Sequence, residues 1–216
     1  MSETKNRIMV SLGLVLAIGI AAWLEHFSVH AVRWLCIFVG LVMIGEFVRQ
    51  LWLAPRGIMF SIRNLVLFGL FLGLLGLDFA SLVVLGGRPM LLLFVFFVIC
   101  AADICAWLFG RIIGGDKMWE RISEHKTWAG QIFGVLGGTA TAILYGFLTM
   151  GVFAPQLLWI GISVSLLSQY GDLTASFVKR RLGIKDFSHL LGAHGGMIDR
   201  FDGWVYVLPI IWLILA

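Results

Sequence analysis

Long apolar segments constrain the fold of this chain more than any other feature of its sequence. A helix that crosses a bilayer needs about 20 mostly apolar residues. Hydrophobic residues fill 60% of the 216 positions and charged residues only 13%, whereas soluble domains carry roughly 25% charged residues. We therefore predict an all-α, polytopic transmembrane bundle of about seven helices. The predicted segments are 8–24, 33–53, 62–79, 89–110, 128–150, 155–171 and 203–216.

Basic residues are distributed unevenly over the loops between these segments. Of the 16 Lys and Arg residues, Arg33 and Arg88 fall on one predicted side and all the others fall on the opposite side. Loops rich in Lys and Arg face the cytosol in most membrane proteins. The pattern predicts that the N-terminus and the two longest loops, about 111–127 and 172–202, are cytosolic.

Small residues inside the apolar segments indicate how the helices pack. Most of the 26 glycines lie in these segments, where they let helix backbones approach closely. Cys36, Cys100 and Cys105 are odd in number and form no CxxC pair, so we interpret them as packing residues. No small-residue cleavage site follows the first apolar segment, which we expect to be retained as a helix.

The region 168–204 holds most of the polar side chains suited to chemistry. Asp172 ends an apolar segment, and Thr174 to Arg181 fit a helix with a basic end. Asp199 and Asp202 are three apart, so they share a face if the chain is helical there. Three such carboxylates suit Mg²⁺, which also binds water and phosphate oxygens. Nearby cations that suit phosphate groups are Lys179, Arg180, Arg181, Lys185 and Arg200.

Spacing alone leaves two interpretations of this region equally open. One is a site for a metal and a phosphorylated substrate. The other is a solvated loop whose basic residues only orient the protein and bind anionic lipid.

The same region resembles the C-terminal signature of the CTP:phosphatidate cytidylyltransferase family. Its lead-in matches at Ser168, Gln169, Gly171 and Asp172. The signature itself matches at Ser176, Lys179, Arg180, Lys185, Asp186, His194, Gly195, Gly196, Asp199, Arg200 and Asp202. A second block, earlier in the chain, matches at Asp103, Ala106, Phe109, Gly110, Arg111, Ile122, Ser123, Lys126, Thr127 and Gly130.

The resemblance implies an enzyme that makes CDP-diacylglycerol from CTP and phosphatidic acid in a bacterial inner membrane, with its active-site loops in the cytosol. It divides the chain into N-terminal helices, 1–90, and a catalytic region, 91–216. The implied catalytic residues are Lys126, Ser176, Lys179, Arg180, Lys185, His194 and Arg200. Arg111, Gly195 and Gly196 would bind the nucleotide. The implied ligands of Mg²⁺, with a second cation left open, are Asp103, Asp172, Asp199 and Asp202.

The expected partners are these two substrates and the lipid bilayer. A homodimer is an open alternative to a monomer, and we expect no nucleic-acid partner. The metal hypothesis requires Asp172 to converge with Asp199 and Asp202 beside the basic cluster at the inner membrane boundary.

Several residues also have an interpretation that is structural and not functional. Asp103 is either functional or a structural partner of Arg111 or Lys126, because an unpaired carboxylate inside a membrane costs at least ~2.5 kcal/mol. Ser176 fits packing as well as ligation, and His194 fits an ordinary loop histidine. Glu46, in the second apolar segment, is interpreted mainly as an ion-pair partner of Arg49, three residues away.

Departures from the family pattern leave other functions open. They are Glu124 in place of a proline, Ala175 in place of a glutamate, and Gly192 and Ala193 in place of Pro-Gly. A paralogue that acts on another lipid phosphate would show such differences. A non-catalytic scaffold or a transporter is the alternative from another class, although we find no internal repeat of the kind that transporters carry.

Overall fold

The computed structural model describes residues 30–59, 61–151, 154–192 and 195–215. Within these ranges the chain forms eight α-helices and one short antiparallel hairpin, so the predicted all-α membrane class is confirmed. The helices are α1 (Ala31–Leu53), α2 (Arg56–Met59), α3 (Ile62–Leu85), α4 (Pro89–Ile113), α5 (Trp128–Met150), α6 (Gln156–Leu182), α7 (Ile198–Phe201) and α8 (Val207–Leu215). The strands are β1 (Lys117–Trp119) and β2 (Ser123–Thr127).

Four of the described helices, α1, α3, α4 and α5, are long and apolar enough to cross a membrane. The chain is therefore an integral membrane protein, but the count of seven spans is not confirmed. The predicted span 8–24 lies outside the described residues. The described helix within 203–216 has nine residues, and at ~1.5 Å per residue it is shorter than the ~30 Å hydrocarbon core.

Helix α6 begins near the predicted position but continues well beyond residue 171. It ends at Leu182 and carries Lys179, Arg180 and Arg181 in its last turn, as the sequence predicts for Thr174 to Arg181. Cations at this end are favourable because the last carbonyl groups of a helix carry partial negative charge.

The chain folds as two compact units. Unit A comprises Met1–Pro89 with Phe177–Ala216, and unit B comprises Met90–Ser176. Helix α6 contributes residues to both. Unit A thus joins the N-terminal helices to the last part of the motif region, which sequence reasoning assigned to the catalytic half.

Aromatic side chains form the core of unit A, where α1 packs against α3 and α3 packs against α8. Phe47 and Phe71 meet edge to face with ring centroids 4.9 Å apart. Phe187 stacks on Phe71 at 6.0 Å, and all three rings are buried. The loop that contains Phe187 is thereby held against the N-terminal helices.

Glycines bring α4 and α5 into close contact in unit B, as the sequence predicts. A Cβ atom on Gly130 would lie 2.6 Å from the carbonyl oxygen of Ala106, and one on Gly134 would lie 3.0 Å from that of Ala102. Gly138 repeats the contact with the Val98 carbonyl at 3.1 Å. A side chain at Gly130 would overlap the facing backbone, and one at Gly134 or Gly138 would be closer than ordinary contact allows. The spacing of four residues therefore gives a continuous glycine seam between the helices.

Candidate active site

Unit B holds a partly exposed lysine–aspartate pair. Lys126 Nζ, from β2, lies 2.7 Å from Asp172 Oδ2, from α6. Ser176, one turn further along α6, donates to Asp172 Oδ1 at 3.3 Å. The Asp172 side chain remains 38% exposed. Each carboxylate oxygen has sites for about two hydrogen bonds, so Asp172 retains capacity to accept a further ligand.

The turn from β2 into α5 fixes the position of Lys126. Thr127 Oγ1 accepts a hydrogen bond from the Gly130 backbone N–H at 3.1 Å and caps the helix. A Cβ atom on Gly110 would lie 3.0 Å from the same hydroxyl oxygen. Thr127, Gly110 and Gly130 thus have structural roles, and they place Lys126 one residue before the N-cap of α5.

Asp103 belongs to the same polar cluster. It is exposed on α4, and the charges of Asp172 and Lys126 act on its carboxyl group. Neither of its two predicted structural partners forms an ion pair with it among the described contacts, so that pairing stays a prediction. Arg111 instead lies with its guanidinium 5.8 Å from the Trp107 ring centroid, at a distance typical of cation–π contacts.

Unit A holds a second lysine–aspartate pair, which is buried. Lys179 Nζ lies 2.9 Å from Asp199 Oδ1, and the two side chains are 12% and 4% exposed. Asp199 Oδ2 accepts two backbone N–H groups, from Phe187 at 2.9 Å and Gly196 at 2.8 Å. Lys179 Nζ also lies 5.6 Å from the Phe187 ring centroid. The carboxylate of Asp199 therefore organises the surrounding backbone.

Two carboxylates, those of Asp199 and Glu46, explain the glycines at positions 195 and 196. Gly195 has a φ of 78°, a conformation that L side chains rarely adopt, and its Cβ would lie 3.0 Å from Asp199 Oδ2. A Cβ on Gly196 would lie 2.7 Å from both carboxylate oxygens of Glu46. These contacts explain structurally why glycine occupies both positions. Their predicted part in nucleotide binding stays a prediction.

The other predicted residues of this region lie on exposed or half-buried positions. Arg180, Lys185 and Arg200 are exposed, and Arg180 Nη1 donates to the Ile184 carbonyl at 3.3 Å. Asp202 is half-buried, and its Oδ1 accepts from the Gly203 N–H at 2.9 Å. Its place beside α7 agrees with the helical turn predicted from Met197 onward. His194 lies outside the described residues.

Sequence reasoning misassigned Glu46 and missed Gln50. Glu46 does not form the predicted ion pair with Arg49 among the described contacts. Its carboxylate instead accepts hydrogen bonds from the hydroxyl of Ser188 and the backbone of Met197 and Ile198. Gln50 Nε2 donates to the Phe187 carbonyl. The available sequence signal was an acid inside an apolar segment, one helical turn from an amide on the same face.

The predicted metal ligands are divided between the units: Asp103 and Asp172 belong to unit B, and Asp199 and Asp202 to unit A. In the part of the chain that the structure describes, no group of three or more His, Cys, Asp or Glu side chains forms a metal cluster. In unit B, Asp172 with Asp103 fits Mg²⁺, which commonly takes one or two carboxylates. The four-aspartate set stays a prediction.

The curated relatives that this chain matches carry the same protein name in different bacteria. The phosphatidate cytidylyltransferase of Brucella suis biovar 1 (strain 1330) is 40% identical over 126 residues, which are 56% of this chain and 45% of the relative. That of Staphylococcus saprophyticus subsp. saprophyticus is 37% identical over 125 residues, 57% of this chain and 48% of the relative. The chain therefore spans about half the length of the curated relatives that it matches.

A family model extends the similarity over nearly the whole sequence. The model described as the Cytidylyltransferase family matches residues 5–216. The matched range includes both motif blocks, the Lys126–Asp172 pair and the Lys179–Asp199 pair. The chain belongs to the cytidylyltransferase family.

Proposed function

We propose that the chain transfers the cytidylyl group from CTP to phosphatidic acid and so produces CDP-diacylglycerol and pyrophosphate. One observation carries the proposal: Lys126, from the earlier motif block, pairs with Asp172, from the lead-in to the C-terminal signature. Two motifs that were matched separately therefore meet in one ion pair. The relatives that the chain matches are named phosphatidate cytidylyltransferases.

The reaction is a nucleotidyl transfer. A phosphate oxygen of phosphatidic acid forms a bond to the α-phosphorus of CTP, while the bond from that phosphorus to the bridging oxygen breaks and pyrophosphate leaves. The attacking oxygen is already anionic near neutral pH, so no strong general base is needed. Catalysis then depends on positioning the substrates and neutralising their charge.

We assign these tasks to particular side chains. Lys126, Arg111, Lys185 and Arg200 are assigned to the phosphate groups of the substrates, together with His194 and Arg180. Asp172 and Asp103 would hold Mg²⁺, with Asp202 and Asp199 as further predicted ligands. The ion would neutralise charge on the triphosphate. Lys126 and Ser176 orient the Asp172 carboxylate, and Lys179 and Asp199 hold the chain around Gly195 and Gly196.

We extend the proposal to seven spans and to a site on the cytosolic face of a bacterial inner membrane. The distribution of basic residues supports the cytosolic face, and the bacterial relatives support the membrane. The hairpin and the end of α6 would both lie at the cytosolic face. Single cysteines introduced at Lys117 and at Lys185, in a chain whose three native cysteines are replaced, test this topology. A membrane-impermeant thiol reagent should label both from the cytosolic side only, and labelling of one from the outside contradicts it.

The test of the activity uses the full chain purified in detergent with CTP, phosphatidic acid and Mg²⁺. CDP-diacylglycerol measured by mass spectrometry, with equal release of pyrophosphate, is the expected result. Product formation should stop with EDTA and return with added Mg²⁺. A reaction without phosphatidic acid serves as the background. No product beside an active relative assayed in parallel would overturn the proposal.

A second candidate is the same transfer to another lipid phosphate. The departures at Glu124, Ala175, Gly192 and Ala193 favour it, because they fall inside the motif blocks that carry the resemblance. A panel of lipid phosphates in the same assay separates the two candidates. A value of kcat/KM for another lipid that exceeds the value for phosphatidic acid would favour the second.

A further inference from the structure

A buried carboxylate on the N-terminal helix α1 has a role that the proposed reaction does not yet include. Glu46 is 7% exposed. It accepts hydrogen bonds from Ser188 Oγ at 2.5 Å, Met197 N–H at 2.9 Å and Ile198 N–H at 3.0 Å. An ionised carboxylate is costly to bury unless such donors surround it. Three converging donors therefore define a site built around this side chain.

The donors belong to both ends of one loop. We call residues 183–197, which connect α6 to α7, the motif loop; the structure describes 183–192 and 195–197 of it. Ser188 lies in the first part of this loop, Met197 is its last residue, and Ile198 is the first residue of α7. Glu46 thus joins two parts of the chain that are separated by nine or ten residues and brings them to α1.

Gln50 adds a second connection from the same helix face. It is one turn from Glu46 on α1, and its Nε2 donates to the carbonyl of Phe187. The Phe187 ring packs against Phe47, also on α1, with centroids 6.1 Å apart. Three positions within five residues of α1 therefore hold the first part of the motif loop.

Asp199 closes the loop from the other side. Its Oδ2 accepts the N–H groups of Phe187 and Gly196, which are next to the residues that Glu46 holds. A Cβ atom on Gly196 would lie 2.7 Å from both Glu46 oxygens and 2.8 Å from Ser188 Oγ. The loop backbone is consequently fixed between two carboxylates, and the contact with Glu46 leaves no room for a side chain at position 196.

We infer that Glu46, with Gln50, is a positioning residue for the transferase reaction. It fixes the motif loop and the start of α7, which carries Asp199 and Arg200. The inference rests on the proposed function and gives the N-terminal helices a direct part in it. Misplacing catalytic groups by about 1 Å can lower a rate about 100-fold, so loss of this anchor should affect turnover.

The test compares Glu46→Gln with Arg49→Gln in the full purified chain. Glutamine keeps the shape of Glu46, but its one acceptor oxygen cannot serve three donors, and its NH₂ group faces a backbone N–H. We expect kcat to fall about 100-fold with little change in the KM for CTP. Arg49→Gln removes a charge from an exposed position on the same helix and should leave kcat unchanged.

Hydrogen exchange measured by mass spectrometry separates positioning from general stability. Peptides that contain Met197 and Ile198 should exchange at least about tenfold faster in Glu46→Gln, while peptides from α3 keep their wild-type rates. Ser188→Ala, which removes one donor and leaves the carboxylate, provides a milder variant. It should lower kcat by about tenfold or less.

Each outcome decides a separate question. Wild-type kcat and wild-type exchange in Glu46→Gln would overturn the inference. A lower unfolding temperature with unchanged kcat per folded molecule and unchanged exchange would also overturn it, because the role would then be structural only. An inactive wild-type chain would contradict the proposed function instead, and the exchange rates would still decide whether Glu46 holds the loop.

Discussion

The two lysine–aspartate pairs are chemically alike but differ in surroundings. In unit B, the side chains of Lys126 and Asp172 are 26% and 38% exposed. In unit A, those of Lys179 and Asp199 are 12% and 4% exposed. Asp172 accepts one described hydrogen bond or ion pair on each oxygen, whereas Asp199 also accepts two backbone N–H groups on a single oxygen.

Because of this difference, the Asp172 carboxylate is accessible to a ligand, whereas the Asp199 carboxylate fixes the surrounding backbone. Exposed ion pairs contribute about 0–1 kcal/mol to stability, so we expect the loss of the Asp172 pair to have little effect on folding. Removing one partner of a buried pair costs about 3–5 kcal/mol, because the other charge is left uncompensated. Both aspartates belong to the region that resembles the family. We nevertheless expect substitution of Asp172 to lower mainly the activity and substitution of Asp199 to lower mainly the stability.

Asp172→Asn should have the largest effect. We expect kcat to fall about 1,000-fold, because the proposed metal-binding carboxylate loses its charge beside the triphosphate. The free energy of unfolding should change by less than about 1 kcal/mol. Product formation and thermal unfolding in detergent, measured on the same preparation, test both statements. Full activity in this variant would remove Asp172 from the reaction.

Asp199→Asn should act first on stability. The amide leaves Lys179 without its counter-charge, and it offers one acceptor where three donors converge. We expect the free energy of unfolding to fall by about 3 kcal/mol, with activity lost as the folded fraction declines. Asp172→Asn is the matched comparison. An unfolding temperature equal to that of the wild type would show that the buried pair is not structural.

Gly196→Ala should have an intermediate effect. The added methyl would lie 2.7 Å from the Glu46 oxygens, and relieving that overlap should cost about 1–3 kcal/mol. Gly69→Ala on α3 is the control, because its Cβ meets nothing within 4 Å and alanine is favourable in a helix. Thermal unfolding of both variants gives the result, and equal unfolding temperatures would contradict the expected overlap.

Ser176→Ala should have the smallest effect. The hydroxyl donates to Asp172 at 3.3 Å, and a single hydrogen bond contributes about 0.5–1.5 kcal/mol. We expect kcat/KM to fall by about threefold, with no change in unfolding temperature. A loss as large as that in Asp172→Asn would indicate that Ser176 itself contacts substrate or metal.

The membrane-spanning helices were predictable because they need only length and apolar composition. The second, fourth and fifth predicted segments match α1, α4 and α5 to within a few residues at each end. The extension of α6 to Leu182 was also predictable, because Thr174 to Arg181 continue the helical pattern with cations at the end. The hairpin at 117–127 was missed, since strands of three and five residues give no clear alternation.

The contacts of the candidate site were less predictable. Motif resemblance identified Lys126 and Asp172 but gave no distance between them. Local spacing suggested Arg49 as the partner of Glu46, whereas the observed partners lie 142 to 152 residues away. A contact at that separation depends on helix packing, which no local pattern in one sequence specifies. The burial of Asp199 has the same origin.

The glycine seam between α4 and α5 bears on how a lipid reaches its site. Acyl chains often enter membrane proteins sideways, through gaps between neighbouring helices. At Gly130 a methyl group would overlap the facing carbonyl oxygen, and at Gly134 and Gly138 it would lie only 3.0 and 3.1 Å from the facing carbonyl oxygens. The seam closes the gap between α4 and α5, so the hydrocarbon tails of the proposed lipid substrate would have to approach unit B along another of its sides.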